Sequence, residues 1–196
     1  MAAKDEMGVL KYAVWQEIFR IQKPYKVMSD LQPGFKKTNI TYNDGPPQLF
    51  RDIRDNESRY SLDEHGFRFC RHLHNFSDWH SEEAVEEHYF PEVERILRRE
   101  IPGVTKVKIF NWRLRRNETF EQAGIEKINL NNGTNWFPPV STAHIDQTPW
   151  SSRERVKYHL PDEAKELETN RLRIVKYVNR SNDKEETFVF YENKIS

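Results

Sequence analysis

One stretch of this sequence carries side chains whose types and spacing could do chemistry together: Ser141-Thr142-Ala143-His144-Ile145-Asp146-Gln147-Thr148. Side chains alternate along an extended backbone, so His144 and Asp146 would point to one face. An imidazole and a carboxylate on one face are two thirds of the 2-His-1-carboxylate triad, which leaves Fe(II) with open coordination positions. Neutral nitrogen and anionic oxygen would hold the metal, while the open positions take substrate and oxygen. The pattern is short. Its plain alternative is a solvent-facing polar pair at a strand end.

Other reactive side chains have less context. His72, His74 and His80 could form a metal cluster, but no carboxylate or cysteine completes a recognisable ligand spacing. His65 and His88 read as surface or helix histidines, and His159 as structural or exposed. No G-x-S-x-G elbow occurs, and Cys70, the only cysteine, reads as a buried small residue. Arg113, Arg115 and Arg116 could grip an anionic carboxylate, or simply charge a surface. Trp79, Trp112, Trp136 and Trp150 could line an apolar pocket, although tryptophan is more often core.

These residues need elements to position them. Val9 to Phe19 is apolar enough for a short helix that Pro24 would stop. Residues 31–50 are turn-rich and extended, and Phe67 to Cys70 alternates as a short strand should. The best helix is Ser81 to Glu100, with Ser81 as cap, acids in front and arginines behind. Pro91 predicts a kink or a split into two shorter helices. Lys106–Arg116 and Val140–Asp146 read as strands, with a long loop over 117–135 between them. A helical pair broken at Pro161 follows, and Leu172–Ile174 and Phe188–Tyr191 read as the last two strands. Strands with helices beside them, without a repeat or phosphate loop, make the class α+β.

Composition sets the outer bounds. The 196 residues carry 31 basic and 31 acidic side chains, and this balance argues against a nucleic-acid partner. Hydrophobic residues are only 36%, so the twelve Phe, eight Tyr and five Trp must supply much of the core. No apolar run is long enough for a membrane span, and the N-terminus lacks a signal-peptide pattern. The expectation is a soluble cytoplasmic protein with no membrane partner.

The segment Ser141 to Pro149 has companions in a fixed order. Arg153-Glu154-Arg155 and His159-Leu160-Pro161-Asp162-Glu163-Ala164-Lys165-Glu166-Leu167 follow it. Ile53-Arg54-Asp55, Tyr60 to Phe67, Tyr89-Phe90-Pro91-Glu92-Val93, and Val107 to Phe110 leading to Arg115-Arg116 precede it. Together they resemble a fungal and bacterial family typified by gibberellin desaturase, the cephem 7α-methoxylase P8-type proteins and the AsaB-like hydroxylase/desaturases. The likeness covers roughly residues 35–175.

That resemblance implies a double-stranded β-helix (jelly roll) with flanking helices. It further implies an oxidoreductase that uses Fe(II), 2-oxoglutarate and O2 on a small molecule of secondary metabolism. His144 and Asp146 match the metal ligands, and Arg115, Arg116, Gln147 and Thr148 are the candidates for substrate or co-substrate contact. On this reading 1–34 is a lead-in, 35–175 an incomplete oxygenase-like domain and 176–196 a divergent tail. The family continues beyond Ile174 to a distal histidine and a carboxylate-binding arginine, whereas no histidine follows His159 here. The jelly roll is therefore expected to be partial, truncated by a gene-model artefact or in a shortened paralogue. The alternative to an oxygenase is an inactive binding protein, with a protein partner completing the sheet.

Overall fold

Short strands joined by turns build the beginning of the chain, and a long helical stretch against a small sheet builds the rest. The computed structural model describes residues 4–27, 31–119, 121–122, 129, 131–180 and 186–194. They fall into two units, Met1–Arg54 with Val140–Asp146, and Asp55–Pro139 with Gln147–Ser196.

In the first unit, β1 (Glu6–Gly8) and β2 (Lys11–Ala13) pair antiparallel with two later strands. These are β3 (Tyr42–Asp44), which pairs with β2, and β4 (Gln48–Phe50), which pairs with β1. The Gly45 amide donates to the Leu10 carbonyl at 2.8 Å between the two ribbons. The Tyr12 ring lies so close over Gly45 that an added Cβ would stand 2.7 Å from it. The helix expected over Val9 to Phe19 is thus a correction: only Glu17–Arg20 winds, as a 3-10 turn. Partners distant in sequence override local helical spacing here, as tertiary context commonly does.

Residues 140–146 lie along this ribbon. The Ala143 amide donates to the Lys11 carbonyl at 2.8 Å, and Lys11 and Thr142 form a single parallel bridge. Extended backbone was expected here and is found, but a strand needs consecutive ladder partners and this segment has one bridge. The same correction applies to Lys106–Arg116, which is extended with one bridge, Arg115 to Phe137.

The second unit opens with α1 (Leu62–His65), capped by the Ser61 hydroxyl and closed by Gly66 at φ 74°. The strand β5 (Phe67–His72) then joins a three-stranded antiparallel sheet with β6 (Arg173–Arg180) and β7 (Glu186–Lys194), in the order β5-β7-β6. Beside it run α2 (Glu82–Ala84), a wider π turn over Val85–Tyr89, and α3 (Phe90–Glu100). Ser81 caps this stretch by accepting from the Ala84 amide at 3.0 Å. Pro91 sits in the first turn of α3, where its missing N–H costs least, so the helix divides where expected. The helical pair later in the chain is α4 (Pro149–His159) and α5 (Ala164–Leu167).

Helical spacing puts Val93, Ile96 and Leu97 on one face of α3, where they are buried. They join Leu62, Val85, Tyr89 and Ile101 as one cluster, with Cys70, Trp79, Trp112, Val175 and Tyr177 packed against it. Trp112 is thus core, and Gly133 passes so close to its ring that no side chain fits there. Ile96 is fully buried at the centre. Ile96→Ala should therefore cost about 2–5 kcal/mol in denaturant unfolding, by lost transfer energy plus a cavity.

One ionic contact ties α3 to β5. Arg95 forks onto Glu92 at 2.6 and 2.9 Å, and His72 bonds the same carboxylate. The Arg95 hydrogen bonds, aided by His72, outweigh partial burial and hold the Glu92 carboxyl at about 2, against an ordinary 4.5. A depressed carboxylate stabilises fully above its unfolded value and ceases to do so as pH falls through the folded one. Thermal unfolding of Glu92→Gln should show a lower Tm than the parent at pH 7. The gap should close as pH falls from 4.5 toward 2.

Candidate functional site

The histidine and carboxylate meet as their spacing predicts. The Ala143–Lys11 backbone bond holds the segment extended, and His144 Nε2 lies 3.3 Å from Asp146 Oδ1. The other ring nitrogen, Nδ1, is 2.8 Å from the Thr142 carbonyl oxygen. A carbonyl oxygen only accepts, so Nδ1 carries the hydrogen there and Nε2 of the neutral ring presents a lone pair. Two electron-rich atoms then stand 3.3 Å apart, which is stable when a proton or a metal ion lies between them. For bonds of about 2.1 Å meeting at a right angle, the ligand atoms stand about 3.0 Å apart, so the pair suits one ion. Both side chains are near half exposed, at 41% and 48%, which leaves solvent access. Thr142 and Lys11 act through backbone carbonyls, so no side-chain signal could have marked them in the sequence.

The flanking residues support a helix start. Thr148 caps α4 by accepting from the Ser151 amide at 3.2 Å, and the Ser151 hydroxyl accepts from the Thr148 amide at 2.8 Å. The Ser151 hydroxyl also donates to Gln147 Oε1 at 3.1 Å.

Arg115 and Arg116 are exposed and lie over aromatic rings. Arg115 donates to the Pro138 carbonyl at 2.8 Å and stands 5.6 Å from the Phe137 centroid, while Arg116 stands 5.5 Å from that of Trp136. Cation–π contact and the bridge from Arg115 to Phe137 hold this turn together. Arg113 is more enclosed and donates to the carbonyls of Asn132 and Asn135. Burial chiefly, with Arg115 nearby, lowers its pKa.

The remaining histidines are engaged separately. His72 belongs to the Glu92–Arg95 cluster, whereas His74 meets the Asn179 amide at 3.2 Å and the rings of Trp79 and Tyr89 edge-on. Among the described residues no group of three His, Cys, Asp or Glu side chains could hold a metal. Burial, with the Glu100 carboxylate, pushes the Cys70 thiol up to about 11, so at neutral pH it is protonated and a poor nucleophile. Burial first, then Arg155 and Lys108, lowers the pKa of His159, whose ring packs 5.0 Å from Phe110. It sits as a neutral structural residue. No helix among the described residues is long and apolar enough to cross a membrane.

Known proteins resemble this chain in sequence and fold. Hydroxylase/desaturase poxK of Penicillium oxalicum is 29% identical over 168 residues, covering 80% of this chain and 47% of its own. Hydroxylase/desaturase CTB9 of Cercospora beticola is 30% identical over 126 residues, or 62% and 38% of the two chains. Oxidoreductase AN1597 of Emericella nidulans is 27% identical over 125 residues, or 64% and 41%. The chain thus spans less than half the length of these curated relatives. Among solved structures, the iron and alpha-ketoglutarate-dependent endoperoxidase NvfI superposes with a TM-score of 0.67 at 16% identity, over 96% of this chain and 84% of that one. A different conformation of the same enzyme gives 0.66 over the same shares. The likeness to NvfI is one of fold. The sequence match extends further: the family model of the Oxidoreductase/YMDC permease-like domain matches residues 10–179, and the chain belongs to that family.

Proposed function

We infer that this chain carries part of the active centre of a non-haem iron oxygenase of the hydroxylase/desaturase type. The observation that carries this reading is the 3.3 Å approach of His144 Nε2 and Asp146 Oδ1, with the ring tautomer set by the Thr142 carbonyl. The hydroxylase/desaturase names of poxK and CTB9, and the iron and alpha-ketoglutarate dependence of NvfI, support it from outside the chain. The scaffold on this reading is a partial jelly roll, and the substrate a hydrophobic small molecule of secondary metabolism.

His144 and Asp146 would hold the metal as neighbouring ligands. O2, with Fe(II) and 2-oxoglutarate as the metal and co-substrate that activate it, would supply the oxidising power for attack on an unactivated C–H bond. The protein's part is to aim Nε2, which the Nδ1–H to Thr142 bond does by fixing the orientation of the ring. The Ala143–Lys11 bond keeps the carboxylate on the same face. Arg115 and Arg116 offer cationic contacts for a substrate or co-substrate carboxylate, and Gln147 and Thr148 anchor the helix that follows the ligand segment.

Anaerobic Fe(II) titration, followed by calorimetry and bound-metal analysis, tests the assignment. His144→Ala and Asp146→Ala should each weaken binding by at least about tenfold, while Ile145→Ala, 80% exposed, should leave it unchanged. Equal affinity in all three variants would return the pair to an ordinary surface ion pair.

A further inference from the structure

A second site lies in the other unit and shares no residue with the His144–Asp146 pair. A groove of about 890 Å³ runs beside β5, between the 57–63 segment and the end of α3, and its volume falls within the range of small-molecule sites. Its charge is uneven. Among the described lining residues five guanidiniums face three carboxylates, an excess of two positive charges in a chain whose formal charge is zero.

The pairing geometry concentrates that excess. Glu100 is shared by two arginines, Arg68 at 2.8 Å and Arg99 at 2.6 Å. Asp63 is likewise shared by Arg171 at 3.1 Å and Arg173 at 3.0 Å. Glu100 therefore holds two guanidinium forks together and neutralises only one. Arg71 makes a longer contact, 3.5 Å, with Glu57. A guanidinium has five donors in a fixed fork, so Arg68 and Arg99 keep donors for a further anion beside Glu100. Part of the wall is apolar, where the rings of Tyr60 and Phe69 meet edge-on at 6.1 Å.

We propose that this groove binds a small amphiphilic organic anion, its carboxylate on Arg68 and Arg99 and its apolar body along Tyr60 and Phe69. The arginine excess selects the charge, and the aromatic wall selects against a bare inorganic ion. The site does not depend on the metal reading, so either can fail without the other.

Calorimetric titration of the full chain with octanoate, n-octanol and inorganic phosphate tests the proposal. Octanoate should bind saturably and weaken as salt rises, with n-octanol and phosphate both far weaker. Arg99→Gln, at a partly exposed position, should raise the octanoate Kd by about fivefold with Tm unchanged. Glu57→Gln should lower it by about threefold, because the groove gains a positive charge and Arg71 is released. A purely structural role for these residues would not move the two variants in opposite directions. No octanoate binding up to about 10 mM, equal binding of n-octanol or phosphate, or indifference to both substitutions would overturn the proposal.

Discussion

The 2.8 Å bond from the Ala143 amide to the Lys11 carbonyl decides where the segment carrying His144 and Asp146 lies. It fastens residues far along the chain to the N-terminal ribbon. Once the backbone is extended at that point, the period of two puts His144 and Asp146 on one face. The Thr142 carbonyl then fixes which ring nitrogen carries the hydrogen. Two backbone carbonyls, from Lys11 and Thr142, thus position two side chains.

The second unit relies on different physics. Its centre is the apolar face of α3 and the π turn before it, packed with Leu62 against β5 and β6 residues. The Glu92–Arg95–His72 cluster adds an ionic tie at the rim of that packing. Arginine recurs in three settings: over aromatic rings at Arg115 and Arg116, on carbonyls at Arg113, and on shared carboxylates along the groove. In each it uses the planar fork that lysine lacks. The neutral total charge conceals this grouping.

Much of the second unit was legible. Ser81, the acids after it and the arginines before Ile101 marked the helix from end to end, and Pro91 marked its division. Those signals are local, written within one or two turns of the residue they affect. The Val9–Phe19 segment was misread as a helix because its strand partners, Tyr42 to Phe50, lie elsewhere in the chain. Lys106–Arg116 and Val140–Asp146 alternate as strands do, yet alternation reports an extended backbone and says nothing of whether a ladder forms beside it.

By itself the sequence determined that an extended backbone would bring His144 and Asp146 to one face. It also determined the capped helix and the α+β class, because caps, prolines and periodicity act over a few residues. The tertiary structure alone decided the separate engagement of His72 and His74 and the withdrawal of Cys70 from reactivity. It alone gathered Arg68, Arg99, Arg171 and Arg173 around one groove. Each of those outcomes rests on contacts between residues far apart in the chain, and a linear order of side chains does not encode distance.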